Sequence, residues 1–382
     1  MEHIMKRLFI ISWLIIFDVT LAQAAEDSLN LNAQQAFLID LNTHMVLYEK
    51  EADTLSAPSS MSKIMTIYMV FEALKMGLVK SDTLVTVSEK AWRTEGSRMF
   101  IKVGMKVPVQ DLLRGVIVQS GNDAAVALAE WIAGTEADFA DLMNKKAREM
   151  GVTKSNLVNA TGLPNENHQM TPRELALIAE RTIKDFPDLY PLYAEKTFQF
   201  NNISQPNRNP LLGSFEGCDG LKTGHTDAGG YGLVASAVRD GRRLIMVING
   251  CKSANARSAD ADRLMNWGFT YFVSPRILAA NKVVDEADVW LGEKGHVKLM
   301  SDRDIFTLVP RKDLRDIKIE VSYKGPIAAP IKRGQKVANV VITIPGKDPI
   351  NHHLVAAEDV ERVGFLSRIR MAFNYLVYGN SS

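Results

Sequence analysis

Ser60-Met61-Ser62-Lys63 places a hydroxyl and an amine one helical turn apart, and the residues that follow decide how that pair is read. From Met61 to Met76 the chain is rich in Met, Ile, Tyr, Val, Phe, Ala and Leu, with neither Gly nor Pro. Apolar residues cover most of the circumference, so the stretch is predicted to be a buried helix. Pro58 ends the extended segment before it. Ser60 then lies near the helix N-terminus, where free backbone N–H groups favour developing negative charge. Lys63, three residues on, faces the same way. Burial disfavours an ammonium, so the Lys63 pKa should fall. A neutral amine beside a hydroxyl is a general base beside its nucleophile. The competing reading is a serine N-cap followed by a lysine that reaches solvent, and S-x-x-K alone does not separate the two.

The ends of the chain carry targeting signals. Lys6-Arg7 precedes an apolar run from Leu8 to Phe17, and Ala22-Gln23-Ala24 follows as a small-x-small cleavage site. That is the layout of a secretory signal peptide over residues 1–24. The run, closed by an unusual Asp18, is far shorter than the roughly 20 residues that span a bilayer. At the other end, about 100° per residue puts Phe365, Leu366, Ile369, Ala372, Phe373, Leu376 and Val377 on one helical face. Ser367, Arg370 and Asn374 fall opposite. Residues 358–382 are therefore expected to form an amphipathic helix lying on an anionic membrane surface, in preference to one packed on the body of the protein. The expected location is periplasmic, at the outer face of the inner membrane.

A length of 382 residues allows two domains and a sizeable core. The formal net charge of +1 gives no global field for nucleic acid, and none is expected as a partner. Cys218 and Cys251 are the only cysteines, and in an oxidising compartment they could pair. Sequence does not bring their Cα atoms within range, and unpaired buried thiols are preferred.

Between the ends, strands over Ala36–Asp40 and Met45–Tyr48 form an edge hairpin, and helices follow the Ser60 stretch. Pro108 is read as N1 of a helix to Val118, Asp123–Ile132 as the next, and Ala137–Met150 as amphipathic. Thr171-Pro172-Arg173-Glu174 reads as a capping box opening a helix to Ile183. Strands return at Gly217–Thr223, Tyr231–Val238 and Arg243–Asn249, with Arg239-Asp240-Gly241 as a hairpin turn, before a helix over Ser258–Trp267. The fold class is α+β: a central antiparallel sheet carrying helices, over residues 25–272. Residues 273–357 change texture. Short strands at Val283–Trp290, Val297–Leu299, Phe306–Val309, Ile317–Tyr323 and Val337–Ile344 predict a small all-β domain, which has no visible chemistry. Ile317–Tyr323 alternates, with one face inward.

Two further motifs bear on Ser60. Ser120-Gly121-Asn122 lies in a turn between helices, and Lys222-Thr223-Gly224 ends a strand. S-x-x-K, S-D-N and K-T-G, in that order, are the signature of class A β-lactamases and penicillin-binding proteins. On these residues the chain resembles the low-molecular-mass penicillin-binding proteins, of the penicillin-binding-protein-5 type of serine D-Ala-D-Ala carboxypeptidase. The resemblance takes in the signal peptide, the β-rich second domain and the amphipathic tail. Pro58, Lys222-Thr223-Gly224-His225-Thr226, Asn207-Arg208-Asn209 and Trp267-Gly268-Phe269 accord with it. Ser59 and Ser62 depart from it, standing where Ala and Thr are usual.

The resemblance implies hydrolysis of the terminal D-Ala-D-Ala bond of peptidoglycan stem pentapeptides, and acylation by β-lactams. Ser60 would attack the carbonyl while Lys63 takes its proton. Cationic Lys222 would keep Lys63 neutral. Ser120 would relay a proton to the leaving amine, and Asn122 would hold Lys63 and the substrate amide. The oxyanion hole would be the Ser60 N–H with a second from His225. Lys222, Thr223 and, by resemblance, Arg257 would meet the terminal carboxylate, and Gly224, next on the strand, would line the substrate site with them. Whether the His225 ring takes part is left open.

Rival readings carry less. Gly230-Tyr231-Gly232-Leu233-Val234-Ala235 spells G-x-G-x-x-A but continues as strand, which speaks against a nucleotide. No H-E-x-x-H occurs and His352-His353 are adjacent, so neither metal nor cofactor is expected. A β-lactamase would want E-x-x-L-N, whereas Asn165-Glu166-Asn167 lacks the Leu-Asn. An endopeptidase of the long type needs insertions for which the Ser60-to-Ser120 interval has no room; the short type lacks the second domain. A non-catalytic wall-binding protein would be expected to have lost Ser60 or Lys63.

Overall fold

The computed structural model describes residues 29–364. The expected signal peptide and the apolar face of the expected terminal helix lie outside them. The chain divides into two compact units, one over Leu29–Tyr271 and the other from Phe272 onward.

In the first unit, strands β1 (Gln35–Asp40) and β2 (Val46–Lys50) form the expected hairpin. A 3-10 turn at Ser59–Ser62 leads into α1 (Lys63–Lys75). The helix thus starts two residues later than its composition indicates, and Ser60 sits in the tighter turn before it. Ile64, Met65, Ile67, Tyr68, Val70 and Phe71 are all buried. Each such large apolar side chain contributes about 1.5–3 kcal/mol. A short ribbon of β3 (Leu84–Thr86) and β4 (Lys106–Pro108) encloses α2 (Glu89–Arg93); all three were invisible in the sequence pattern. Pro108 closes β4 and caps α3 (Val109–Val118) instead of occupying its first turn. Then come α4 (Asn122–Ala133), α5 (Glu136–Met150) and α6 (Pro172–Asp185). Thr171 caps α6 by accepting from Glu174 N–H at 3.2 Å. The return half of the capping box is missing. The Glu174 carboxylate instead accepts from the N–H groups of Thr153, Lys154 and Ser155 and from the Ser155 hydroxyl.

A hairpin of β5 (Thr197–Phe200) and β6 (Ile203–Pro206) precedes the long strands β7 (Cys218–Thr226), β8 (Gly230–Arg239) and β9 (Arg242–Cys251), and α7 (Ala254–Tyr271) closes the unit. The main sheet is antiparallel with order β2-β1-β9-β8-β7. Asp240 and Gly241, at φ 51° and 74°, make the two-residue turn from β8 to β9, as a type I′ hairpin requires. β7 runs three residues beyond the sequence expectation, so Lys222-Thr223-Gly224 lies within the strand and His225 on it. Side chains of β1 alternate between two helical layers. A Cβ at Gly268 of α7 would meet Leu38, while Arg173 of α6 covers the Phe37 ring. Cys218 and Cys251 are free thiols, and burial pushes them up to about 11 and about 12.

The second unit is built on a six-stranded sheet. It contains β10 (Phe272–Val273), β11 (Arg276–Leu278), β12 (Val283–Trp290), β13 (His296–Met300), β14 (Ile305–Phe306), β15 (Val309–Pro310), β16 (Lys318–Ser322), β17 (Ile327–Ala328), β18 (Lys336–Thr343) and β19 (Ile350–Ala356). The main order is β16-β18-β19-β13-β12-β17, over a core that includes Ala287, Val297, Leu299, Val340 and Leu354. Strand β19 was missed, although it lies between β18 and β13. The alternating stretch at β16 is an edge strand, and its Ile319 is 46% exposed. Residues 358–363, expected to open the terminal helix, form no helix and are bound to this unit. Val360 pairs with Ile331 and Arg362 with Gly292, while Glu358 and Glu361 pair with Lys294 and Lys332.

Candidate active site

The turn at Ser59–Ser62, the start of α1, the start of α4, the loop from α5 to α6, and β7 bring the three motifs together. Lys63 Nζ lies 2.9 Å from Ser60 Oγ, 2.7 Å from Asn122 Oδ1 and 2.5 Å from the Thr161 carbonyl. Lys63 is wholly buried and Ser60 half-buried, so the expected nucleophile is reachable while its expected base is dry. The Asn122 amide is oriented by its other end, since Nδ2 donates to the Glu95 carbonyl at 2.6 Å. Oδ1 therefore faces Lys63. The Asn122 oxygen and the Thr161 carbonyl can only accept. In a neutral Lys63 they take both N–H groups, which leaves the lone pair for the Ser60 hydroxyl.

Electrostatics favour that neutral form. Burial holds the Lys63 ammonium well below the usual lysine range; the charges of Lys222 and Arg208 lower it further, and Asp123 opposes them. Lys222 is itself lowered to about 7, first by burial and then by Arg208 and Arg257. Its Nζ donates to the Thr223 carbonyl at 3.2 Å. Arg208 donates to Ser97 Oγ at 2.6 Å. Lys222, Arg208 and Arg257 thus make the surroundings of the neutral Lys63 cationic, opposed by the buried carboxylate of Asp123. That carboxylate is occupied with the N–H groups of Met99, Phe100, Ile101 and Ala124.

The remaining candidates take distinct places. The Ser120 hydroxyl is buried and finds no hydrogen-bond partner among the described residues. Ser120 sits at φ 60° and Ser59 at φ 51°, left-handed conformations that cost on the order of 1–3 kcal/mol each. Thr223 and Gly224 are buried on β7, where a Cβ at Gly224 would come 2.9 Å from the Pro58 carbonyl. The glycine lets the strand lie against the turn. The His225 ring is exposed and stacks on Tyr231, centroids 3.9 Å apart. Arg257, in the first turn of α7, lies 5.9 Å over the Tyr231 ring, with its buried Nε unbonded among the described residues.

Sequence reasoning missed the Thr161 carbonyl, Asp123, and the part played by Arg208. A signal for the first was present in Asn159-Ala160-Thr161-Gly162. Asn159 Oδ1 accepts from the N–H groups of Thr161 and Gly162, a side-chain turn that aims the loop. A Cβ at Gly162, φ 73°, would fall 2.0 Å from the Ser59 carbonyl.

Comparison with known proteins follows the same lines. Residues 20–253 match peptidase family S11, described as D-alanyl-D-alanine carboxypeptidase, and residues 272–362 match the C-terminal domain of penicillin-binding protein 5. The chain is 36% identical over 385 residues to the D-alanyl-D-alanine carboxypeptidase DacA of Escherichia coli, covering 96% of this chain and 95% of that one. Penicillin-binding protein 5 from Haemophilus influenzae superposes with a TM-score of 0.72 at 38% identity, over 87% of this chain and 98% of the other. Penicillin-binding protein D2 from Listeria monocytogenes, solved in an ampicillin-bound form, superposes over 63% of this chain and 98% of its own, with a TM-score of 0.58 at 30% identity. The chain belongs to the D-alanyl-D-alanine carboxypeptidase family, with a penicillin-binding-protein-5 C-terminal domain following the peptidase domain.

Proposed function

We propose that the protein hydrolyses the terminal D-Ala-D-Ala bond of peptidoglycan stem pentapeptides through an acyl-enzyme on Ser60, and that penicillins acylate the same hydroxyl. The observation that carries this reading is the Lys63 amine, 2.9 Å from Ser60 Oγ and held by two acceptor-only oxygens. Ser60 Oγ attacks the carbonyl carbon as Lys63 Nζ takes its proton. The oxyanion is met by the N–H groups of Ser60 and His225; one such donor is worth roughly 2.7–4 kcal/mol of barrier. The intermediate collapses, the C–N bond breaks, and the departing D-alanine amine receives a proton by way of Ser120. Water then attacks the ester, giving its proton back through the base, and the shortened peptide leaves with Ser60 restored.

Lys222, Thr223 and Arg257 receive the substrate's terminal carboxylate. A bound anion raises the Lys222 pKa, so the cation is fixed as the substrate enters. Export through residues 1–24 and attachment of the C-terminal segment to the outer face of the inner membrane would set this site beside nascent wall peptides; the basic, amphipathic pattern supports that location.

The test is D-alanine release from a D-Ala-D-Ala pentapeptide, alongside labelling by fluorescent penicillin. Wild-type protein should do both and Ser60→Ala neither. Labelling without D-alanine release would reduce the protein to a penicillin binder. Rapid turnover of the penicillin would make it a β-lactamase.

A further inference from the structure

Three serines crowd the nucleophile turn, and the chemistry above uses one. Ser59 is 2% exposed, and its Oγ lies 2.8 Å from Thr226 Oγ1 at the far end of β7. Thr226 Oγ1 also accepts from Gly229 N–H at 3.0 Å. The Ser59 carbonyl accepts from Ser62 Oγ at 3.1 Å, so the residue is tied at both ends. Around this contact the turn and the strand touch closely. A Cβ at Gly229 would fall 2.7 Å from the Ala57 carbonyl and 2.9 Å from Ser59 Oγ, and one at Gly224 would fall 3.1 Å from Ser59 Cβ. Met61 fills the same seam, where a Cβ at Gly232 would lie 2.5 Å from its Cε. Packing of this kind excludes water and sets how near the two segments come, and a hydrogen bond adds a fixed direction.

We propose that Ser59 is a positioning residue for acylation: its hydroxyl bond to Thr226 fixes the alignment of the turn that carries Ser60 with the strand that carries His225. This rests on the proposed oxyanion hole, whose two N–H donors come from those two segments. A hole built from separate elements works only when its donors keep about 2.7–3.1 Å from the oxyanion. The residue before the nucleophile and the residue after the second donor are joined here by their side chains, so the bond links the two donor-bearing segments next to their donors.

The test measures penicillin acylation rates, affinity for a boronic acid that forms a tetrahedral adduct on Ser60, and melting temperature. The proteins are wild type, Ser59→Ala, Thr226→Val, their double variant and Thr226→Ser. Each removal of a hydroxyl should slow acylation and weaken the boronate about five- to tenfold, the effect of one lost hydrogen bond. The double variant should be no slower than either single one. Thr226→Ser, which keeps the hydroxyl, should restore the rate. Ser59→Ala acylating at the wild-type rate, or two single effects that multiply, would overturn the proposal while leaving Ser60 as nucleophile. A wild-type protein that penicillin does not acylate would remove the underlying reading as well. A rate loss that only tracks melting temperature, with boronate affinity unchanged, would make the bond structural and overturn the positioning role.

Discussion

An amine held between two oxygens that can only accept has its protons assigned by its neighbours, and Lys63 is in that position. The sequence pattern foretold a buried lysine facing Ser60, because burial follows from the apolar circumference of α1 and the facing from three-residue spacing. It did not foretell the Thr161 carbonyl, since any residue type can offer one. The two shifted lysines give the pH dependence its sign. Lys63 must be neutral to act as base, so kcat/KM for a carboxylate-bearing β-lactam should rise with pH through its depressed pKa. Lys222 must be charged to meet the carboxylate, and in the free enzyme it loses its proton near 7. The facing charges are those of Arg208, Arg257 and Asp123. Above about 7 kcat/KM should therefore decline several-fold, while a substrate without the carboxylate shows no such decline. A flat profile from neutral to alkaline pH for both substrates would contradict the assignment.

At the scale of elements, the loop from α5 to α6 does more than the sequence pattern reveals. Glu174 looked like one half of a capping box. Burial raises its carboxyl, but the loop N–H groups and the Ser155 hydroxyl outweigh this and hold it below the usual range. The carboxylate anchors the entry to the loop, and Gly162 lets its far part press on the Ser59 carbonyl. A capping box and an anchored loop share the same residue types, so spacing could not separate them. Gly162→Ala adds a Cβ at a left-handed position already in contact with the turn. It should destabilise the protein by more than about 1 kcal/mol and slow penicillin acylation, read as a lower melting temperature and a lower labelling rate. An unchanged melting temperature would show that the loop yields freely. The long strands and amphipathic helices were legible because their periodicity runs over many residues. The β3–β4 and β5–β6 ribbons were not, being too short to show a period, and β19 was obscured by its adjacent histidines.

Over the whole molecule, the order of S-x-x-K, S-G-N and K-T-G was enough to foresee the α+β architecture and most of the residues that converge on Ser60. The change to an all-β texture after Phe272 marked the second unit. What sequence could not supply was the cationic balance around Lys63, which arises from residues far apart in the chain: Arg208, Lys222 and Arg257. A near-neutral chain thus concentrates positive charge where an anionic substrate terminus would enter. The account stands on Ser60 as the nucleophile among three neighbouring serines. The most direct measurement is mass spectrometry of the full chain after brief exposure to benzylpenicillin, with the adduct mapped on the peptide that contains residues 59–63. A single penicilloyl group on Ser60, absent from Ser60→Ala, is the predicted result. An adduct on Ser59 or Ser62, or one that persists in Ser60→Ala, would contradict it.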